Sequence, residues 1–422
     1  MDVEISYSDN KWISFSSSSS LLDTNIWSYI WLCNYGRTDY MESISFSYNY
    51  YFGYIYGKKR KQRDSERIMS TGSASLSLLS IVALLSFFVA LMVNKFSPKI
   101  GKGALIDRDF EKPQAFHNEP IPRSGGLSGI ISLTIFFILY YFLFDKFLFD
   151  YLILSIAIFS LGFLEDIKFK IDPNYRLILM IAVLIFFIFF FSINITGVDV
   201  PFLRTWMNNS IFSTAFILLC FLFIINGANL VDGFNGLLTI HLLLINFILF
   251  LVNLNNNHEN LTVIIIAQMV VLLSFLLFNF PKAKMFLGDS GSYLFGSLVA
   301  LNIINTNNLN PQISSFFFCT LLFYLFFEVF FSFFRKLYLR KSPLNPDKYH
   351  LHMLLYNFLD KSGEFKDSNY LNSIVINLIY ICVILPVIFF NDNGSICKYW
   401  FFSSLVLYMV FYSLLYSFEK KQ

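Results

Sequence analysis

Asp289 lies in FLGDSGS (Phe286–Ser292), among small residues at the start of an apolar run. Backbone N–H groups at such a helix start favour anions, and a carboxylate beside them suits Mg2+. Glu165 and Asp166 are adjacent acids in LGFLEDIK (Leu161–Lys168), able to draw in a cation or accept a proton. Asn226, Asn229 and Asp232 recur every three residues in IINGANLVDGFNGLL (Ile224–Leu238). On a helix they share one face; amides there read the edges of planar polar groups, and a carboxylate binds a hydroxyl, an imide N–H or a metal. Arg123, in HNEPIPRSGG (His117–Gly126), follows two stiffening prolines and can meet phosphate oxygens in a bidentate way. His350 and His352 alternate just after Asp347 in PDKYHLHMLL. Phe286 offers a stacking face.

Each cluster also has a plainer reading. Asp289 can be an N-cap, the acidic pair a solvated helix end, and the Asn–Gly stretch an interhelix contact. The histidine loop can lie on anionic lipid. Zinc fits poorly, since a site needs three or four ligands and no Cys or further His lies near His350 and His352. Taken together, the clusters supply acids for Mg2+, basic groups for phosphates, amides and an aromatic ring for a base, and His for protons or phosphate. Phosphoryl transfer needs this inventory, because its catalysis is mostly positioning and charge neutralisation.

The elements that must hold these residues are apolar. The 422 residues are 56% hydrophobic and 14% charged, with 53 Phe; soluble domains are nearer a quarter charged. Runs long enough to span hydrocarbon fall at 76–94, 127–144, 149–164, 176–193, 210–225, 236–252, 261–279, 291–303, 313–334, 373–390 and 398–416. The expected fold is therefore all-α, a polytopic integral membrane protein of about eleven transmembrane helices. The five Cys are scattered, with no metal-like spacing and no disulfide framework.

Lys and Arg crowd the odd loops, including Arg108 and Arg123 in the first, Lys168 and Arg176 in the third, Lys282 and Lys284 in the seventh, and Arg335 to Lys348 in the ninth. Even loops carry at most one each, such as Lys146 and Arg204. This asymmetry puts the odd loops in the cytoplasm, and with them all five polar clusters. A membrane site on that face suggests a lipid phosphate as one substrate and a cytosolic nucleotide as the other. Residues 1–68 conflict with this topology, because GKKRKQRDSER (Gly57–Arg67) holds six basic residues that would have to cross the membrane. The segment 1–68 is read as an atypical extension, non-native or a mis-called start, with Met69 the expected beginning. Residues 69–422 are read as a single transmembrane domain.

The blocks HNEPIPRSGG, LGFLEDIK, NGANLVDGFNGL, FLGDSGS and PDKYHLH, in this order, resemble those of the polyprenyl-phosphate N-acetylhexosamine-1-phosphate transferases (glycosyltransferase family 4). The resemblance runs from about Leu76 to Lys421. It implies a multi-pass protein of the bacterial cytoplasmic (inner) membrane. It implies transfer of an N-acetylhexosamine 1-phosphate from a UDP-sugar to undecaprenyl phosphate with release of UMP, using Mg2+, with Mn2+ as the alternative ion. It further implies that Asp289 ligates the metal, with Asp166 as a second ligand, and that Glu165 and Asp166 stand beside the lipid phosphate. His350 and His352 then act near the phosphates or sugar. Asn229, Asp232, Asn279 and Phe286 fall at uridine positions, and His117, Arg123, Asn226, Ser290 and Asp347 complete the substrate-binding set. Glu165 departs from a common Asp–Asp pair, and Asn235 stands where Asp is frequent. Met353 after His352 breaks a triple-His pattern, which favours a simple UDP-N-acetylhexosamine and an O-antigen, capsule or related glycan. A homodimer is one expected assembly; no feature points to nucleic acid.

Two rivals make distinct demands. An intramembrane serine protease using Ser290 needs a His base, and the only His inside an apolar run is His241. A transporter or flippase needs polar residues near mid-membrane, reachable from both sides.

Overall fold

The computed structural model describes residues 72–108, 119–169, 171–342, 347–361 and 367–420. His117 and the segment 1–68, with the start expected at Met69, lie outside the described residues. Packing separates residues 1–73 from 74–422, and the helices that build the candidate site all belong to the second unit.

Every apolar run forms a helix. They are α1 (Gly72–Ile100), α2 (Gly125–Phe144), α3 (Phe149–Asp166) and α4 (Pro173–Phe190). A short α5 (Pro201–Met207) precedes α6 (Ser210–Val231), α7 (Leu237–Asn255), α8 (Glu259–Asn279) and α9 (Gly288–Leu309). The ninth run divides into α10 (Ser315–Leu321) and α11 (Phe323–Tyr338), bent by 72°. After them come a short α12 (Leu351–Lys361), α13 (Ser368–Phe389) and α14 (Gly394–Lys420). A two-stranded antiparallel pair, β1 (Ile106–Asp107) and β2 (Ile121–Pro122), sits before α2.

Among the described residues eight helices are long and apolar enough to cross a membrane, or nine if the bent pair counts as one span. The remaining two of the eleven runs are α3 and α9. α3 carries Asp150, Glu165 and Asp166, and α9 opens on GDSGS and ends among Asn305, Asn307 and Asn308. Polar residues of this kind are tolerated in a membrane only where protein covers them. In α9 most side chains are buried, with Asp289, Asn305 and Asn308 half-buried, and α2, α3, α6 and α7 surround it.

Small residues let α9 in. A Cβ on Gly126 would stand 2.2 Å from the Ser290 hydroxyl, and one on Gly162 would stand 2.5 Å from the Asp289 carbonyl. Such close backbone approach is the usual route to tight helix packing in lipid. Deeper in the bundle Asn302 of α9 donates to Gln268 of α8 at 2.7 Å and to Asn246 of α7 at 3.1 Å. Its carbonyl accepts from Tyr151 of α3 at 3.0 Å. This network links four helices through bonds among its own members. By contrast α4 and α14 turn large apolar side chains outward, such as Phe186, Phe189 and Leu414.

Local signals set the ends that matter. Asp172 caps α4, accepting from the Asn174 amide at 2.8 Å with Pro173 in the first turn. α6 runs on past its apolar stretch to Val231, so Asn226 and Asn229 are helical and Asp232 is the residue that ends the helix.

Candidate active site

The loop before α2 and the loop before α9 are zipped together by their backbones. Gly125 N–H donates to Phe286 O at 2.9 Å, Gly126 N–H to Leu287 O at 2.8 Å, and Phe286 N–H to Pro122 O at 2.9 Å. Gly288 turns the chain into α9 with a φ of 77°, a left-handed conformation that glycine adopts without strain. These bonds fix Arg123 and Asp289 on one wall.

Asp166 closes the other side of that turn. One of its carboxylate oxygens accepts from the Asp289 N–H and the other from the Ser290 N–H, both at 2.9 Å, and the Ser290 hydroxyl also donates to it. A buried carboxylate thus satisfies the first orphan donors of α9, as a capping side chain from another helix. The carboxylate expected as second metal ligand and lipid-phosphate neighbour is engaged here as a cap. Ser290 is fully buried with its hydroxyl on Asp166, and His241 bonds to Asn377 instead. Nothing in this arrangement sets up a serine nucleophile with a histidine base.

Asp289 faces outward. Its Oδ1 accepts from Asn229 Nδ2 at 3.0 Å, and Asn229 also donates to Ser292 at 3.2 Å. Two guanidinium groups stand off from Asp289, Arg123 at 3.9 Å and Arg176 at 3.7 Å. Arg176 also meets Glu165 at 3.4 Å. Arg123 is anchored by Asp107, its Nε donating to Oδ2 at 2.9 Å. Burial weighs against the Arg123 charge, but Asp289, Asp107 and Asp166 outweigh it and hold the guanidinium protonated. Burial pushes the Asp232 carboxyl up to about 8; Asp289 and Asp166 add to this and Arg123 opposes it.

The remaining amides serve the frame. Asn226 donates back to Leu222 O within α6 at 2.7 Å. Asn279 accepts from Gly236 N–H at 2.6 Å and donates to Met285 O at 2.9 Å, so it locks the loop carrying Asp232 to the loop carrying Phe286. Asn235, which sequence reasoning leaves unassigned, donates through its backbone to Asn369 and through its side chain to Pro281 O at 3.0 Å. It ties the same loop to α13.

The histidine end is built on α11 and α12. His350 and His352 stack with rings 5.6 Å apart and 5° from parallel. His350 Nδ1 lies 3.2 Å from Glu328 Oε2, and Nε2 lies 3.5 Å from Asp347. His352 Nδ1 lies 3.1 Å from the Tyr324 hydroxyl. Burial pushes His352 down to about 4, against the pull of Glu328, which leaves it neutral at pH 7. Asp347 accepts from Arg335 at 2.9 Å and from the Tyr349 N–H at 3.0 Å. Burial works against its charge, yet His350, the Tyr349 amide, Arg335 and Lys336 hold it below the usual carboxylate range.

One cavity of about 1210 Å3 joins the two ends. Its lining includes the polar Arg123, Glu165, Asp166, Asn226, Asn229, Asp232, Asn279, Asp289 and His350, together with the Phe286 ring. Of the expected residues, Ser290, Asp347 and His352 stand behind this lining. The lining also has an apolar part, formed by Leu219, Leu222 and Phe223 of α6 and by Phe330, Phe333 and Phe334 of α11. Several of these are exposed at the bundle surface.

Among the described residues no three His, Cys, Asp or Glu side chains are grouped to hold a metal ion. Mg2+ does not require such a cage, because it is usually held by one or two carboxylates with substrate phosphates and water. The outward-facing Asp289 and the repelled Asp232 fit that pattern.

Sequence reasoning missed three members. Arg176 was read only as a topology charge, although a base one turn into an apolar helix is itself a signal. Glu328 is the only acid of α11, set in FFEVFF, and that isolation was the available clue. Asp107 sits in a loop with other charges, and nothing in its surroundings distinguishes it.

The fold is that of a polytopic helical membrane protein, and its cavity is lined by both charged and apolar side chains. Residues 148–307 match the model of the family described as glycosyl transferase family 4. The chain is 30% identical over 293 residues to the undecaprenyl-phosphate alpha-N-acetylglucosaminyl 1-phosphate transferase of Thermotoga maritima, covering 67% of this chain and 82% of that protein. It is 33% identical over 188 residues to the phospho-N-acetylmuramoyl-pentapeptide-transferase of Clostridium perfringens, covering 43% of this chain and 59% of the relative. With the corresponding enzyme of Staphylococcus saprophyticus the identity is 29% over 246 residues, 54% of this chain and 76% of the relative. The chain belongs to the polyprenyl-phosphate N-acetylhexosamine-1-phosphate transferase family, glycosyl transferase family 4.

Proposed function

We propose that the protein transfers an N-acetylhexosamine 1-phosphate from a UDP-sugar to undecaprenyl phosphate, as a first membrane step toward O-antigen, capsule or a related envelope glycan. The observation that carries this reading is a cavity lined both by charged side chains and by apolar ones that are exposed at the bundle surface. A polyprenyl tail suits the apolar side chains of α6 and α11, and its phosphate then reaches Arg123 and Arg176. The uracil and ribose suit Asn229, Asp232 and Phe286.

In the reaction an oxygen of the lipid phosphate bonds to the phosphorus that carries the sugar. The bond from that phosphorus to the bridging oxygen of the nucleotide breaks, and UMP leaves with the electron pair. A phosphate monoester is already largely dianionic near pH 7, so Glu165 is not required as a base. Its place beside Arg176 suits it to orient that cation. Asp289 is the carboxylate best placed to hold Mg2+ or Mn2+, with Asp232 within the same electrostatic field. The ion would neutralise charge developing on the phosphates. Asp166 supports this by fixing the backbone of Asp289.

In this reading α3 and α9 also cross, giving eleven spans, and the Lys and Arg asymmetry favours a site on the cytoplasmic side of a bacterial inner membrane. The test is to incubate purified protein with undecaprenyl phosphate, Mg2+ and a panel of UDP-sugars and to measure UMP. Lipid-dependent UMP with one sugar supports the reading and identifies the donor. Failure with every sugar refutes it.

A further inference from the structure

Glu328 is 1% exposed in the middle of α11, and an ionisable group buried there is costly unless paired. Its Oε1 accepts from the Leu351 N–H at 3.0 Å and from the Tyr408 hydroxyl at 2.8 Å. Its Oε2 lies 3.2 Å from His350 Nδ1. Three elements therefore converge on one carboxylate, namely α11, the first turn of α12, and α14. An ionised carboxylate only accepts hydrogen bonds, so Nδ1 of His350 must carry a proton. The other ring nitrogen, Nε2, is turned away from Glu328, and His350 lines the cavity.

Other neighbours do not set this ring. Asp347, 3.5 Å from Nε2, is bound by Arg335 through both of its oxygens. His352 stacks on the ring face and has its own partner in Tyr324. The polar contact that fixes Nδ1 is Glu328.

We infer that Glu328 is a positioning residue: it holds His350 with Nδ1 protonated and Nε2 presented to the cavity as an acceptor, where it meets a hydroxyl or amide N–H of the donor sugar. The donor contact rests on the transferase reading above; the Glu328–His350 coupling does not. Where a histidine is fixed by the bond its other nitrogen makes, loss of that bond changes the tautomer before it changes the fold.

Glu328→Gln is the discriminating variant. The Leu351 N–H and Tyr408 hydroxyl keep the amide oxygen on their side. The NH2 group then faces Nδ1, which must become an acceptor. The first measurement is 15N spectroscopy of the full-length protein labelled at histidine, at a pH where the ring is neutral, with His350→Gln assigning the signal. The expected result is a protonated Nδ1 in the parent and a fall of about threefold or more in that tautomer in Glu328→Gln. Glu328→Asp, which keeps the acceptor-only group, is expected to retain the parental tautomer. An Nε2–H tautomer in the parent, or no change in Glu328→Gln, overturns the inference, and the parent spectrum decides even if the Gln variant does not fold.

The second measurement is lipid-dependent UMP release. Glu328→Gln is expected to lower kcat by about tenfold to a hundredfold, and Glu328→Gln with His350→Gln is expected to lose no more than His350→Gln alone. Multiplicative losses would overturn the coupling. Absence of turnover in the parent would sink the transferase reading alone, because the spectroscopic result does not depend on turnover.

Discussion

The two ends of the cavity handle buried charge in opposite ways. At the acid end Asp289, Asp232 and Asp166 all line the cavity, and Asp166 is the one nearly wholly buried, its oxygens held by backbone N–H groups of α9. At the histidine end the acid itself is hidden, and Glu328 supports the His350 that faces the cavity. Work and support are therefore divided between residues at the acid end and coupled through one residue at the histidine end. A carboxylate bound by fixed amides stabilises the frame. A carboxylate bound by a side-chain ring sets that ring's proton.

The largest expected effect tests the division. Asp289→Asn should lower lipid-dependent UMP release by about a thousandfold, since losing several kcal/mol of charge stabilisation costs about tenfold per 1.4 kcal/mol. Its thermal midpoint should stay close to the parent's. Asp166→Ala should do the reverse first, lowering thermal stability by about 3 kcal/mol or more through loss of charge-assisted bonds to the α9 terminus. Paired activity and unfolding measurements check both, and equal loss of fold in the two variants would break the comparison.

A smaller effect sharpens it within one loop. Asp232→Ala should cost about a hundredfold in turnover, whereas Asn235→Ala, whose side chain only reaches Pro281 O, should stay within about threefold. Equal losses would count against a frame role for Asn235.

A last effect, read in stability rather than turnover, is a pH dependence without divalent ions. Asp232 is raised to about 8 in the folded protein and is near 3.9 unfolded. The folded state then binds the extra proton between these values, so stability falls as pH rises from about 4 to 8 and levels off above. Asn cannot titrate. Asp232→Asn should therefore be more stable than the parent at pH 8 and equal to it below pH 4, read by thermal unfolding across that range. A constant offset at every pH would refute the charge account.

Much of this was legible in the sequence. The eleven runs each became helical because long apolar segments with few charges have few alternatives in hydrocarbon. Asp289, Asn229, Asp232 and Arg123 stood out as polar residues beside such runs, and they do line one cavity. Partner choice was not legible. Asp166 and Glu165 are neighbours in sequence, yet one turns into the α9 turn and the other toward Arg176, a difference set by helix rotation. The ninth run read as one span, but a 72° bend divides it.

By itself, then, the amino-acid sequence determined a helical membrane protein with five polar clusters beside its apolar runs, because periodic hydropathy and charge placement are local properties. The tertiary structure alone decided which acids face the cavity and which are buried as supports. That choice depends on close approach, as at Gly126 and Gly162 against α9, and on donors brought from residues far apart in the chain. Asp166 with Ser290 and Glu328 with Tyr408 are such pairs.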